Sequence, residues 1–112
     1  MSSPRIKAGL WVQAQVRLCD INHIPIMVRH KGDPDAGAIL LKLDQGKAGC
    51  AVLSQVRDSD GNAAWMYGGG GELIGESDAE AYIKRQIARD PDLWVVEIED
   101  MQGRYELDGK II

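Results

Sequence analysis

Apolar residues recur along this chain at two different periods, and the switches between them outline its elements. Ile6, Leu10, Ala14, Leu18 and Ile21 fall at helical spacing with Trp11 at their flank, while Lys7, Gln13, Gln15 and Arg17 lie mostly off that stripe. Ser3-Pro4 reads as a cap followed by proline at the first helical position. Pro25 disfavours the helical conformation at Ile24, so the helix should stop near Asn22. Strand patterns follow at Pro25–His30, Ala38–Asp44, Ala48–Arg57 and Ala63–Tyr67. The segments between them are short and rich in Gly, Asp and Asn, which predicts antiparallel hairpins and hence a meander.

Gly68–Gly71 breaks the pattern. Ser77-Asp78-Ala79-Glu80 has the form of a capping box, in which Ser77 caps the Glu80 amide and Glu80 reaches back. Ala79, Tyr82, Ile83, Gln86 and Ile87 then share one helical face, and Asp90-Pro91 ends the helix. Leu93–Ile98 is apolar enough to be a strand covered on both faces. A turn at Glu99–Gly103 leads to a short last strand, Arg104–Leu107. The order α-β-β-β-β-α-β-β predicts a single α+β domain over residues 1–112, an antiparallel meander sheet of five or six strands with two helices on one face.

Composition narrows the functional classes. A chain of 112 residues with 45% apolar and 27% charged content can bury an ordinary core without staples. A formal charge of -4 argues against a general nucleic-acid binder, which needs a basic face. The opening Met1–Arg5 is not followed by a long apolar run, so it does not read as a signal peptide, and no apolar window is long enough to cross a membrane. The chain reads as cytoplasmic, and Cys19 and Cys50 as reduced, buried and structural.

Candidate chemistry concentrates in Arg29-His30-Lys31-Gly32-Asp33-Pro34-Asp35-Ala36-Gly37, which joins the apolar segments Ile24–Val28 and Ala38–Leu43 and reads as a hairpin loop dense in polar groups. Arg29, Asp33, Asp35 and Lys42 are the candidate ligand or partner residues around it. Glu97 interrupts an apolar strand and, if buried, needs a cationic or amide partner. Other constellations fail on their chemistry. Cys19 and His23 have metal-ligand spacing, but a zinc site needs about four ligands and no spacing brings Cys50 or His30 to them. Asp58-Ser59-Asp60-Gly61-Asn62 lacks the glutamate a calcium loop requires, since Gly69 stands at its twelfth position. The Gly68–Gly71 run is followed by acidic Glu76, Asp78 and Glu80, which would repel a phosphate. No nucleophile motif occurs. No catalytic residue, metal or cofactor is therefore assigned.

Three stretches together resemble a known family. They are Arg5-Ile6-Lys7 with Trp11-Val12, Gly32-Asp33-Pro34-Asp35-Ala36-Gly37-Ala38-Ile39-Leu40, and Asp90-Pro91-Asp92-Leu93-Trp94-Val95-Val96-Glu97-Ile98-Glu99-Asp100. The chain resembles the small bacterial proteins called Domain of Unknown Function 1491, over nearly its whole length. That resemblance implies a compact cytosolic domain and supplies no catalytic residues.

Two functions compete. The favoured one is a non-enzymatic protein-interaction module, because the chain is small, has sheet edges and lacks a convergent reactive set. Edge strands also favour sheet-to-sheet pairing, so a homodimer or another protein partner is expected, with neither nucleic acid nor membrane. The alternative is a small-molecule or anion-binding domain, enzymatic or not, centred on the Gly32–Gly37 loop. Convergence of Arg29, Asp33, Asp35 and Lys42 on one pocket would favour it.

Overall fold

The computed structural model describes residues 6–112. Helix α1 runs Ala8–Ile21, and the strands β1 (Ile26–His30), β2 (Ile39–Asp44), β3 (Cys50–Arg57) and β4 (Ala63–Tyr67) follow. Helix α2 (Glu76–Arg89), β5 (Trp94–Glu99) and β6 (Lys110–Ile111) complete the chain. The fold is α+β, as the pattern predicts, but the sheet is mixed rather than an antiparallel meander. Its strand order is β1-β5-β2-β3-β4-β6. β5 runs parallel to β2, and β6 parallel to β4. The β2–β3 and β3–β4 hairpins form as expected, whereas β1 and β2 are not a hairpin because β5 inserts between them. The reason is burial. Trp94, Val95, Val96 and Ile98 are all buried, and a strand apolar on both faces is most stable inside a sheet.

The two helices lie on opposite faces, not on one. Strand alternation sends Ile39, Leu41, Leu53, Trp94, Val96 and Ile98 to the side where Ala8, Trp11, Val12 and Cys19 of α1 pack. The intervening Leu40, Val52 and Val95 meet Ala79 and Ile83 of α2. The crossover from β4 to the interior strand β5 carries α2 over the second face, because a parallel neighbour for β2 cannot be reached by a tight turn.

The buried face of α1 also differs from the expected stripe. Trp11, Val12, Gln15 and Cys19 point inward, while Ile6, Leu10, Leu18 and Ile21 are exposed. Distant residues decide this. Trp11 packs against Trp65 with the rings tilted and their centroids 5.6 Å apart and donates its indole N–H to Asp108, and the Tyr105 hydroxyl donates to Gln15. A polar Gln15 is tolerated inside because the C-terminal segment satisfies it. That segment crosses residues 104–108 without forming a strand, so the last strand is Lys110–Ile111 rather than Arg104–Leu107. The cap expected at Ser3-Pro4 lies outside the described residues.

Gly32 and Gly37 bring the loop after β1 against the start of β5. A Cβ on Gly32 would lie 2.1 Å from the Asp92 carbonyl oxygen, and one on Gly37 2.5 Å from the same atom. The Asp33 amide donates to that oxygen, and the Trp94 indole N–H donates to the Asp33 carbonyl. These glycines thus serve a long-range contact with the Asp92-Leu93-Trp94 segment, not a hairpin turn.

Candidate functional site

Two opposite charges interrupt the apolar strands β2 and β5. The parallel register sets them side by side, Lys42 against Glu97. Lys42 is fully buried on the α2 face of the sheet. Its Nζ donates to Glu76 and Glu80 at 2.8 Å each and lies 3.6 Å from Glu97. Arg29, at an irregularity in the β1–β5 ladder between Val28 and His30, reaches the same group of carboxylates. Its guanidinium forks onto Glu80 and adds a 2.9 Å bond to Glu97. The result is a closed set of two cations and three carboxylates that ties the first turns of α2 to the middle of the sheet.

Glu76 and Glu80 stand four apart on α2 and so share one helical face. The helix begins at Glu76, after Gly75 and without a side-chain cap. The expected Ser77–Glu80 capping box does not form, because Arg29 and Lys42 take the Glu80 carboxylate.

The electrostatics follow from the pairing. Bonds from Arg29, and then from Lys42, pull the Glu80 carboxyl down to about 2 against the opposition of burial. Glu76 is lowered for the same reason, its largest influence being Lys42. The Glu80 bonds hold Arg29 more firmly protonated than usual. Burial alone would lower Lys42, but its bonds to Glu76 and Glu80 outweigh it and raise the amine above its ordinary value. The Cys50 thiol donates to Glu76 at 3.2 Å, and burial together with that bond pushes it up to about 11. Near neutral pH Arg29, Lys42, Glu76 and Glu80 are therefore held as ions and Cys50 as a protonated thiol.

Of the four candidate residues, the structure brings Arg29 and Lys42 together and leaves Asp33 and Asp35 apart from them. The Asp33 carboxylate accepts from the Ala36 amide and shapes the local turn. Asp35 is exposed and lies 3.6 Å from Lys7. The partners that residue-level reasoning missed are Glu76 and Glu80. Their i, i+4 spacing, and the isolated charges in β2 and β5, were the available signals. Glu97 has the cationic partners that its burial requires. Cys19 and Cys50 are both buried, on opposite sides of the sheet. No group of three or more His, Cys, Asp or Glu side chains fit to hold a metal occurs among the described residues.

A second feature lies at the free edge of the sheet. β1 has β5 on one side and no strand on the other among the described residues. The Glu99 amide donates to the Pro25 carbonyl at 3.0 Å. Antiparallel ladders alternate, so Met27 is the next residue bonded to β5, opposite Glu97. The N–H and C=O groups of Ile26 and Val28 then point away from the sheet. Beside them, between α1 and β1, runs a cleft of about 1040 Å3 floored by Val12, Val16, Ile26 and Val28, with Arg17, Asp20 and Lys31 at its rim.

The family model described as a protein of unknown function, DUF1491, matches residues 6–108. No curated protein matches. Among solved structures, a crystal structure of a DUF1491 family protein from Caulobacter crescentus CB15 is 34% identical, with a TM-score of 0.84 over 96% of this chain and 100% of that one. An NMR structure of a DUF1491 family protein from the same organism is 33% identical, with a TM-score of 0.81 over 98% of this chain and 99% of that one. A solution structure of a protein from A. tumefaciens is 25% identical, with a TM-score of 0.69 over 93% and 90% of the two chains.

Proposed function

The chain belongs to the DUF1491 family of proteins of unknown function, and we propose from its own geometry that it is a non-enzymatic protein-interaction module of the cytoplasm. Its docking face is the free edge of β1 with the adjoining cleft, and its ligand is an extended polypeptide segment that adds a strand. One observation carries this reading: outward-pointing backbone groups at Ile26 and Val28 border an apolar cleft. An extended chain paired there bonds to those groups and sends alternate side chains down onto Val12 and Val16.

The charged cluster supports the same reading by what it lacks. An acid, base or nucleophile works best with its pKa near the working pH. Glu80 is driven down, Lys42 up, and Cys50 up to about 11. Every cation is matched by carboxylates, and Lys42 is closed off from solvent. Such a cluster fastens α2 to the sheet. The small-molecule alternative needed Asp33 and Asp35 to converge with Arg29 and Lys42, and they do not. Neither nucleic acid nor membrane is part of the proposal, since the net charge is -4 and no helix among the described residues is long and apolar enough to span a bilayer.

The test uses a displayed library of ten-residue peptides, with the recovered sequences titrated into labelled protein. We expect sequences of alternating apolar residues, and NMR shifts centred on the Ile26 and Val28 amides and on Val12 and Val16. Val28→Pro removes one outward N–H without breaking the β5 ladder and should abolish binding in a folded protein. Shifts that map elsewhere, or folded Val28→Pro that binds like the parent, would overturn the proposal.

A further inference from the structure

Resting on that reading, we propose that the extended segment received at β1 is β1 of a second copy of this chain. The two copies pair antiparallel about a two-fold axis at Met27 and merge their sheets into one.

The register is dictated by which groups are free. Ile26 and Val28 offer N–H and C=O groups outward, and two such pairs separated by one residue are self-complementary. Ile26 of one copy bonds to Val28 of the other, twice by symmetry, and Met27 faces Met27 across the axis. Met27 is 60% exposed in the single chain, and Val28 39%. Pairing covers both, and the two clefts, lined by Val12, Val16 and Val28, become continuous.

Charge does not oppose this arrangement. Arg29 follows Val28 on β1, and Glu80 and Glu97 of its own chain already neutralise it. The cleft rim carries charges of both signs, Asp20 beside Arg17 and Lys31, rather than a single-sign patch. The ladder irregularity at Arg29 limits the free edge to these few residues, which shuts out longer or slipped pairings. The outer edge left after pairing is β6, only two residues long, so the assembly closes at two copies instead of growing.

Sedimentation of the full chain over a concentration series should reach a limit of twice the 12.3 kDa of one chain. Folded Val28→Pro should stay at the single-chain mass. A Met27→Cys variant tests the register without relying on that substitution. Met27 faces Met27 as a non-hydrogen-bonded pair, whose Cα atoms lie about 4.5 Å apart in an antiparallel ladder, within the Cα separation a disulfide spans. Mild oxidation should convert it to a covalent dimer many-fold faster than Met66→Cys, whose site is also exposed but lies on β4. A chain that stays at 12.3 kDa across the series, or Met27→Cys that cross-links no faster than Met66→Cys, overturns the second-copy inference. In that event peptide-induced shifts at Ile26 and Val28 still decide the interaction reading separately. A dimer that persists in folded Val28→Pro also overturns the inference, because it must use another surface.

Discussion

Replacing Lys42 with methionine keeps the bulk of the side chain and deletes its charge. In the parent, the amine is buried and within 3.6 Å of three carboxylates. After the change, Glu80 and Glu97 compete for Arg29 alone, and Glu76 keeps only the Cys50 thiol. Removing one member of a buried ion pair costs about 3–5 kcal/mol. Here Glu76 and Glu80 retain 64% and 37% side-chain exposure, so they recover hydration. We therefore expect a loss near the lower bound, about 3 kcal/mol. Urea unfolding followed by tryptophan fluorescence at pH 7 measures it directly. The pH dependence supplies a second check. The folded carboxyl of Glu80 sits at about 2 against an ordinary 4.5, so its stabilising share is complete above 4.5 and is lost as pH falls towards 2. The gap between parent and Lys42→Met should narrow over that interval, as carboxylates left without the amine also become neutral. A loss below about 0.5 kcal/mol at pH 7, typical of an ordinary surface change, would refute the clamp. So would a gap that stays constant down to the acid limit.

Two further outcomes follow from the packing. Trp94→Ala removes a buried indole that also donates to the Asp33 carbonyl, and should cost about 3–5 kcal/mol in a thermal melt; an unchanged melting temperature would remove Trp94 from the core. The double variant Asp33→Asn/Asp35→Asn should fold within about 1 kcal/mol of the parent, because an amide oxygen can still accept from Ala36 and the Asp35–Lys7 pair is solvent-exposed. A urea midpoint lowered by much more would show that these carboxylates do structural work beyond the local turn.

Local rules settled the helices and the strands up to β5, but not the last strand, which forms at Lys110–Ile111 instead of Arg104–Leu107. The apolar face of α2, the end of α2 at Asp90, the β2–β3 and β3–β4 hairpins and the two-sided burial of β5 were all legible, because each depends on neighbours within one or two turns of chain. The isolated charges Lys42 and Glu97 also announced themselves as oddities in apolar strands. Partner choice across the chain was not legible. β5 displaces the β1–β2 hairpin because a doubly buried strand gains most in the sheet interior, and that gain exists only once both faces are assembled. The same assembly separates the helices onto opposite faces, turns α1 so that Gln15 rather than Leu18 points inward, and recruits Glu80 away from a capping box. The candidate cluster divided along that line: sequence could flag Arg29 and Lys42, but only the parallel β2–β5 register and the crossover of α2 bring Glu97, Glu76 and Glu80 to them. Spacing along the chain encodes periodicity; which periodic faces meet depends on burial shared among segments far apart in sequence.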